Sequence, residues 1–274
     1  MSEMVKVSFQ GERGAYSESA AKEFFKKEIQ TVAFPTFAEI LQSTADNKTD
    51  YSILPVENSI EGSVGESYDL LYSTQLKAVG EIYFKIEHCL IGNSTLDKID
   101  TVYSHPQALG QCRKFIQKQK FKTVPTYDTA GSVSIIKELN KENTACIASK
   151  SAAEISDMKI ISENIADNPN NYTRFLILSK DSTDESDKDK TSIIFSIKHE
   201  PGSLYKIIEK FQKYGINLTK IESRPKKTTV WEYNFYVDFE GHANNSEIKK
   251  MLDEIKKETN FFKNLGSYPS AKLS

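Results

Sequence analysis

The chain has 274 residues, which predicts one or two domains. Hydrophobic residues make up 38% of it and aromatic residues 11%, enough for a buried core, so a wholly disordered chain is excluded. The 36 basic and 38 acidic side chains leave a formal charge of −2, which offers no electrostatic footprint for nucleic acid or for a membrane surface.

The beginning of the chain, Met1–Val7, contains no apolar core of an export signal, and no later apolar run is long enough to span a bilayer. We therefore expect a soluble, cytoplasmic protein. The three cysteines are odd in number and far apart, which predicts reduced thiols and no disulfide framework. The four histidines never occur at i, i+4 spacing, so an HExxH-type zinc site is not expected.

The first 180 residues alternate short β-rich runs with helical stretches. In chain order the pattern predicts a strand at Val5–Phe9, helices at Ser17–Lys27 and Thr36–Ala45, a strand at Tyr51–Leu54, an extended segment at Val79–Ile91, a strand at Val102–Ser104, a helix at Pro106–Gln117, a strand at Thr123–Tyr127, a helix at Gly131–Leu139, and strands at Thr144–Ala148 and Arg174–Leu178. Repetition of strand, helix and strand is typical of a mainly parallel α/β sheet. More than one such series predicts two small lobes that face each other across a cleft.

Residues 181–190 contain no apolar side chain and many charges, which predicts a solvated linker. Downstream the pattern predicts a strand at Ser192–Lys198, a helix at Ser203–Tyr214, strands at Leu218–Ser223 and Val230–Phe239, a helix at Ser246–Glu258 and a strand at Phe261–Tyr268. This order, βαββαβ, predicts a ferredoxin-like sandwich. Because such a sheet leaves one face to be covered, we expect it to pair with a second copy.

Four polar loops follow predicted strands of the larger region: Gly11–Glu18, Pro55–Ser63, Ser104–Gly110 and Asp128–Ser132. In open α/β sheets ligands bind beyond the carboxyl ends of the strands, where the N–H groups of helix starts point outward. The loops together predict a cleft for a small anion, although each loop alone is equally compatible with a turn or a helix cap.

Two further features bear on chemistry. His105 and Cys112 are two helical turns apart, as in a Cys–His nucleophile, but Pro106 starts the helix after His105 and no orienting residue is evident, so a buried structural Cys112 is favoured. Arg174 at a strand entrance is suited to bind a carboxylate, with Thr173 beside it as a hydrogen-bond donor.

Taken in order, these motifs resemble those of prephenate dehydratases. The motifs are Gly14-Ala15-Tyr16-Ser17-Glu18, Pro55-Val56-Glu57-Asn58-Ser59, Ser104-His105-Pro106-Gln107, Asp128-Thr129-Ala130-Gly131-Ser132 and Thr173-Arg174-Phe175. Beyond the linker, Pro201-Gly202-Ser203-Leu204 and Glu222-Ser223-Arg224-Pro225 resemble the effector motifs of the ACT regulatory domain in that family. The resemblance covers nearly the whole chain.

The resemblance implies an enzyme of phenylalanine biosynthesis, which converts prephenate to phenylpyruvate with loss of carbon dioxide and hydroxide and is inhibited by L-phenylalanine. The implied fold is α/β: a two-lobed, periplasmic-binding-protein-like catalytic domain over residues 1–180, a linker over 181–190, and a ferredoxin-like βαββαβ ACT domain over 191–274. The lobes would comprise about residues 1–78 with 165–180, and about 79–164. A homodimer or homotetramer without metal or organic cofactor is also implied.

The resemblance also implies roles for individual residues. The catalytic set would be Thr173, Glu57, Asn58 and Gln107. Our own hypothesis is that Thr173 donates a hydrogen bond to the departing hydroxyl and that Glu57 is the source of the proton. The substrate-binding set would be Ser17, Ser59, Thr129, Ala130, Gly131, Ser132, Arg174 and Phe175. The effector-binding set would be Gly202, Ser203, Leu204, Asn217, Leu218, Glu222, Ser223, Arg224 and Pro225.

Two alternatives stay open at this point. Phe9-Gln10-Gly11 with Gly14-Ala15-Tyr16-Ser17-Glu18, and Ile216-Asn217-Leu218-Thr219-Lys220-Ile221, resemble plant-type arogenate dehydratases. Separately, Ser203 replaces the usual alanine of the effector motif, which leaves the identity and affinity of the effector open. The same anion-binding loops would also suit a non-catalytic two-lobed sensor of an anion or amino acid. The proximity of Thr173 and Glu57 expected from the resemblance favours catalysis, since a receptor needs no proton donor.

Overall fold

The structure is a computed structural model that describes residues 4–226 and 232–272. Its strands are β1 (Lys6–Gln10), β2 (Gln30–Phe34), β3 (Tyr51–Asn58), β4 (Gly62–Ser63), β5 (Lys77–Lys85), β6 (Cys89–Gly92), β7 (Thr101–Ser104), β8 (Lys122–Pro125), β9 (Thr144–Ala148), β10 (Ile160–Ser162), β11 (Tyr172–Ser179), β12 (Asp189–Ser196), β13 (Leu218–Pro225), β14 (Tyr233–Glu240) and β15 (Phe261–Pro269). Its helices are α1 (Tyr16–Phe25), α2 (Phe37–Ala45), α3 (Gly65–Ser73), α4 (Pro106–Gln111), α5 (Arg113–Gln119), α6 (Gly131–Leu139), α7 (Lys150–Ser156), α8 (Ser203–Lys213) and α9 (Ser246–Glu258). None of the helices in these described ranges combines the length and the apolar character that crossing a bilayer requires.

The chain divides into two compact units. The first contains the residues up to Ser67 together with Ile82–Phe175, and the second contains Tyr68–Glu81 together with the residues from Leu176 onward. The division therefore falls within β5 and β11, each of which has residues in both units.

One α/β sheet has the strand order β2-β1-β3-β11-β5, with β4 paired to β3. Strand β1 lies between β2 and β3 and is parallel to both, and its apolar side chains Val7 and Phe9 are fully buried. Helix α2 starts at a capping box, in which the Thr36 hydroxyl accepts the Glu39 N–H and the Glu39 carboxylate accepts the Thr36 N–H. The predicted parallel pairing is confirmed for these strands.

A second sheet has the order β10-β6-β9-β7-β8. Strand β7 is parallel to β8 and β9, whereas β6 is antiparallel to both of its neighbours. All five residues of β9 are buried, as expected for a strand covered by helices on both faces. The strands of the first unit thus belong to two α/β sheets, each with its own group of parallel strands.

The third sheet, in the second unit, has the order β13-β14-β12-β15 and is antiparallel throughout. Helices α8 and α9 supply apolar side chains to one core with its strands, among them Ile207, Phe211 and Met251. The βαββαβ prediction is confirmed. Val230, where one predicted strand begins, lies outside the described residues.

The predicted linker extends two residues too far, because the structure does not leave its last two residues in solvent. Asp189 and Lys190 are buried and begin β12. The Asp189 carboxylate accepts hydrogen bonds from the backbone and hydroxyl of Ser186, and Lys190 Nζ lies 2.6 Å from Glu81 Oε1. Charge alone predicted solvent exposure, but each of these charges has a partner that allows its burial.

Other element boundaries also differ from the predictions. The predicted helix Pro106–Gln117 is divided into α4 and α5 because Cys112 leaves the helical conformation, with φ −111° and ψ 21°. The predicted loop after Leu54 is partly strand, since β3 continues to Asn58. The pattern did not predict β2, α3 or α7.

Candidate active site

A cavity of about 240 Å³ lies at the carboxyl ends of several strands of the first unit. Both sheets of that unit contribute to its wall. The described residues that line it are Gln10, Gly14, Ala15, Tyr16, Ser17, Phe37, Pro55, Asn58, Val64, Ile86, His88, Gln107, Ala108, Gln111, Asp128, Thr129, Ala130, Ser149, Thr173 and Phe175. All four predicted polar loops reach this one cavity.

Seven of the predicted catalytic and substrate-binding residues line the cavity: Thr173, Asn58, Gln107, Ser17, Thr129, Ala130 and Phe175. Glu57, Ser59, Gly131, Ser132 and Arg174 are not among the described lining residues. Strand alternation accounts for Arg174, because Thr173 and Phe175 face the cavity and the residue between them faces the other way. Glu57 likewise alternates with Asn58 at the end of β3.

The remaining three predicted residues support the loops. The Gly131 N–H donates to Asp128 Oδ1 at 2.8 Å, and Ser132 Oγ donates to the Thr129 carbonyl at 2.6 Å, so both stabilise the start of α6. Ser59 Oγ donates to the Asn170 carbonyl and accepts the Tyr172 N–H. It therefore holds the segment that leads into β11.

Asn58 is held in one orientation. Its Oδ1 accepts the backbone N–H groups of Ile60 and Glu61, each at 3.0 Å. Because a flipped amide would place its NH2 group against these two donors, Nδ2 must point the other way. There Nδ2 donates to Thr173 Oγ1 at 3.0 Å and to Asn171 Oδ1 at 2.8 Å.

This orientation determines what the Thr173 hydroxyl does. Since Thr173 Oγ1 accepts a hydrogen bond from Asn58, its own proton remains for donation. Thr173 lines the cavity and is only 9% exposed, so a ligand in the cavity is the natural acceptor. The site thus presents a neutral hydrogen-bond donor at a defined position.

Asn171 and Gln111 extend this network away from Thr173. Asn171, which is fully buried, donates through Nδ2 to Gln111 Oε1 at 2.9 Å. The same oxygen lies 2.8 Å from His88 Nε2, so His88 carries a proton on that nitrogen and donates it. Sequence reasoning did not predict Gln111, although Gln107 and Gln111 are spaced i, i+4, which places them on one helix face.

His88 and Tyr16 form a pair on the cavity wall. The Tyr16 hydroxyl oxygen lies 2.8 Å from His88 Nδ1 and 2.8 Å from the Glu87 carbonyl, and the two rings meet edge to face. Burial lowers the pKa of His88, an effect opposed by its hydrogen bond with Gln111. Burial also raises the pKa of Tyr16 well above its usual value, so the phenol keeps its proton. The pattern did not predict His88, because its partners come from distant segments.

Glu18 anchors the first loop. Its fully buried carboxylate accepts the Gly14 N–H at 2.6 Å and the Thr31 hydroxyl at 2.9 Å, and Lys22 Nζ lies 2.9 Å away. Burial alone would raise the pKa of Glu18, but these hydrogen bonds lower it on balance. The carboxylate therefore stays charged and fixes Gly14 on the cavity wall.

The Cys–His hypothesis is not supported. His105 Nδ1 accepts the Gln107 N–H as the cap of α4, and Cys112 is fully buried in an apolar core. Burial raises the pKa of the Cys112 thiol, so it is not a thiolate nucleophile. The structural interpretation of Cys112 is confirmed.

A separate cavity of about 290 Å³ lies in the second unit at the start of α8. Three predicted effector residues line it: Gly202, Ser203 and Leu204. They are joined there by Ile197, Lys198, His199, Glu200, Tyr205, Glu232, Tyr233 and Phe235. The other six, Asn217, Leu218, Glu222, Ser223, Arg224 and Pro225, lie on or next to the edge strand β13 and are not among its described lining residues.

The fold and site describe an α/β protein that binds a small polar ligand at its strand ends and carries a βαββαβ domain. Sequence profiles agree: that of prephenate dehydratase matches residues 7–183, and that of the ACT domain matches residues 191–257. The chain belongs to the prephenate dehydratase family and carries an ACT domain.

Three relatives indicate the breadth of the similarity. The chain is 39% identical to the bifunctional chorismate mutase/prephenate dehydratase of Aquifex aeolicus, over 98% of this chain and 75% of that protein. It is also 39% identical to the prephenate dehydratase of Methanocaldococcus jannaschii, over 94% and 95%. It is 36% identical to the arogenate dehydratase/prephenate dehydratase 1 of Arabidopsis thaliana, over 97% and 72%.

Two solved structures are similar in fold. The prephenate dehydratase of Arthrobacter aurescens in complex with L-Phe has a TM-score of 0.89 at 27% identity, covering 97% of this chain and 90% of that one. GqqA, described as a novel type of quorum quenching acylase, also has a TM-score of 0.89, at 31% identity, covering 97% and 98%. The same fold is thus associated with two described activities.

Proposed function

We propose that this protein is a prephenate dehydratase. The prephenate dianion takes up one proton and yields phenylpyruvate, carbon dioxide and water. The C–C bond to the ring carboxylate breaks, its electron pair enters the ring, and the ring C–O bond breaks as the hydroxyl leaves. The observation that carries the proposal is the Thr173 hydroxyl, which Asn58 orients as a donor at the wall of a single cavity.

Aromatisation drives this reaction, so the protein needs no strong nucleophile. Thr173 is too weak an acid to protonate the leaving hydroxyl by itself, and we assign it the hydrogen bond to that departing hydroxyl. Such a donor acts by stabilising the charge that develops in the transition state. Asn58 positions Thr173 through the hydrogen bond from its Nδ2 to Thr173 Oγ1.

The substrate's carboxylates need donors. Helices α1 and α6 both begin at the cavity, where Ala15, Tyr16 and Ala130 line the wall and the adjacent N–H groups face a bound anion favourably. Gln107 and Thr129 add side-chain donors. We assign no substrate contact to Glu57 or Arg174, because neither is among the described lining residues.

We further propose feedback inhibition by L-phenylalanine through the ACT domain, at the cavity around Gly202–Leu204. This cavity combines the apolar side chains of Leu204 and Phe235 with the backbone N–H groups at the start of α8. A second copy bringing its β13 to this cavity would add the remaining predicted effector residues. Isothermal titration of the full chain with L-phenylalanine tests this, and an absence of saturable binding contradicts it.

A homo-oligomer, dimer or tetramer, is part of the same proposal, and so is a cytoplasmic location. The three cysteines are buried free thiols, which suits a reducing compartment. Sedimentation of the purified chain with and without L-phenylalanine tests the oligomeric state.

Incubation with prephenate tests the catalytic function, with phenylpyruvate detected by its absorbance in alkali. Arogenate in a parallel reaction distinguishes the second candidate, because its amino group replaces the keto group and its product is phenylalanine. Binding of prephenate without turnover would indicate the sensor.

The similarity to GqqA calls for an acylase control. Both serine hydroxyls on the cavity wall donate to backbone carbonyls: Ser17 to Gln10 and Ser149 to Gly14. Neither of these hydrogen bonds, both between described residues, involves a side chain that could act as a base. We therefore expect no cleavage of an N-acylated quorum-sensing signal.

A further inference from the structure

The proposed reaction consumes one proton, which an acid at the cavity must deliver to the leaving hydroxyl. Thr173 is too weak an acid, and Glu57 does not line the cavity in the described part of the chain. The ionisable side chains that do line it are Tyr16, His88 and Asp128. Of these, only the imidazole can gain a positive charge near neutral pH.

We propose, on the basis of the proposed function, that His88 and Tyr16 form the proton relay of this site, in which the Tyr16 hydroxyl delivers to the leaving oxygen a proton that His88 replaces. Both residues line the cavity that Thr173 lines. The relay is built from two short contacts of the Tyr16 oxygen, to His88 Nδ1 and to the Glu87 carbonyl.

The Tyr16 proton has two alternative acceptors, and this lets the pair hold either charge state. With neutral His88, the Tyr16 O–H donates to Nδ1. With cationic His88, Nδ1–H donates to the Tyr16 oxygen and the Tyr16 O–H turns to the Glu87 carbonyl. In both states Nε2–H donates to Gln111 Oε1, so no buried polar group loses its partner when the ring takes up a proton.

The charge of the ligand supplies the driving force. Among the described residues that line the cavity there is no lysine or arginine, so a dianion meets no permanently positive side chain on that wall. Proton uptake by His88 as the dianion binds provides the missing charge. Thr173 then orients the leaving oxygen while the relay protonates it.

Each proton that moves in this relay has a donor and an acceptor. As the ring C–O bond breaks, the leaving oxygen takes the Tyr16 proton and becomes water. Tyr16 takes the Nδ1 proton of His88, which becomes neutral and is protonated again from solvent. The C–C bond electrons remain in the aromatic ring, and no oxidant or reductant is required.

Other ionisable groups of the described residues lie around the pair of His88 and Tyr16. Tyr16 contacts His88 directly. Gln111 lies between His88 and Glu61, and the distance from Gln111 Nε2 to Glu61 Oε1 is 3.5 Å. Glu87, whose carboxylate accepts from Lys85, and the thiols of Cys89 and Cys112, whose pKa values burial raises, lie near Tyr16, and Asp128 lies on the wall of the same cavity. None of these thiols is charged at neutral pH.

The pH dependence of wild-type turnover is the first test. An acid must be protonated to act, so kcat falls as pH rises through the pKa of His88 in the substrate complex. The kcat/KM profile, which reports the free protein, falls at lower pH because burial lowers that pKa in the absence of the dianion. A kcat that stays constant from about pH 6 to about pH 10 would overturn the relay without any variant.

Substitutions give the second test. We expect Tyr16→Phe and His88→Gln each to lower kcat by about 10²–10⁴-fold, the usual contribution of general acid catalysis. KM should change much less, and His88→Gln should lose the alkaline limb of the kcat profile. The matched control is Tyr214→Phe, which removes a hydroxyl hydrogen-bonded to Glu254 in the second unit and should leave kcat unchanged.

The outcomes separate the two proposals. No phenylpyruvate from the wild type at any pH contradicts the proposed function itself. Turnover with the same alkaline limb in His88→Gln as in the wild type contradicts only the relay. If Tyr16→Phe does not fold, as judged by circular dichroism, the His88→Gln profile decides.

Discussion

Replacing Thr173 by valine isolates the hydroxyl on which the proposed mechanism depends. Valine has nearly the volume of threonine and the same β-branched shape, so the substitution removes the hydroxyl at this 9% exposed position without leaving a cavity. Among the described residues the hydroxyl accepts a hydrogen bond from Asn58 Nδ2, which keeps Asn171 Oδ1 at 2.8 Å and the Tyr172 carbonyl at 3.2 Å as acceptors. The amide is therefore not orphaned.

The two expected effects differ in size. Loss of one hydrogen bond whose donor keeps other acceptors lowers the free energy of unfolding by about 1 kcal/mol. Against a typical stability of about 5–15 kcal/mol, this leaves almost all molecules folded at 25 °C. Loss of a transition-state donor lowers kcat by about 10²–10³-fold, or about 2.7–4 kcal/mol.

Stopped assays of phenylpyruvate formation and urea denaturation of the same preparations measure both quantities. Thr173→Ser is the matched control, because it keeps the hydroxyl and loses only a methyl group. We expect serine to retain most of kcat and valine to lose it. A valine variant with kcat within about threefold of the wild type would show that the hydroxyl does not act in the transition state.

Three further substitutions test the supporting structure. Glu18→Gln should lower the free energy of unfolding at pH 7 by about 1–3 kcal/mol, since it leaves buried donors at Gly14 and Thr31 less well satisfied. Because folding lowers the pKa of Glu18, the wild type should lose this advantage as the pH falls through the folded-state pKa. Equal stabilities of the variant and the wild type at pH 7 would contradict the anchoring role of Glu18. Gly14→Ala should lower the midpoint of thermal unfolding sharply, because Gly14 has φ +87° and an added Cβ would lie 2.5 Å from Ala152 Cα. Gly110→Ala is the control: a Cβ at Gly110 meets nothing within 4 Å, so this variant should have nearly the midpoint of the wild type. Lys263 donates to the carbonyls of Leu71, Tyr72 and Thr74 at the end of α3, and burial, with Lys77 nearby, lowers its pKa to about 8. The unfolded chain therefore binds more protons between about pH 8 and pH 10.4, so stability should rise with pH in that range, and Lys263→Met should abolish this rise.

Local pattern was sufficient for most elements. The spacing of apolar residues predicted α6 and β9 at the bounds that the structure has, and it predicted the βαββαβ order of the second unit. These features depend on neighbours within one turn or one strand, which the sequence displays directly. The break at Cys112 and the burial of Lys190 depend instead on partners elsewhere in the chain, and the pattern did not show them.

The candidate site divides in the same way. Polar loops at successive strand ends predicted one anion-binding cavity, because parallel strands bring their carboxyl ends to one edge. The pattern did not predict correctly which side chains face the cavity. Thr173 and Asn58 face it, whereas their neighbours Arg174 and Glu57 are not among the described lining residues. Moving by one residue along a strand places a side chain on the opposite face of the sheet, and the sequence does not show directly which face turns toward the cavity.

The sequence by itself determined the order of the elements, the family motifs and the convergence of the polar loops, since all three depend on spacing along the chain. Only the tertiary structure decided the network that orients Thr173, because its members are far apart in sequence: Asn58 and Asn171 are 113 residues apart, and Asn171 and Gln111 are 60 apart. Hydrogen bonds of this kind need donor and acceptor within about 3 Å, and folding alone brings such distant groups to that distance.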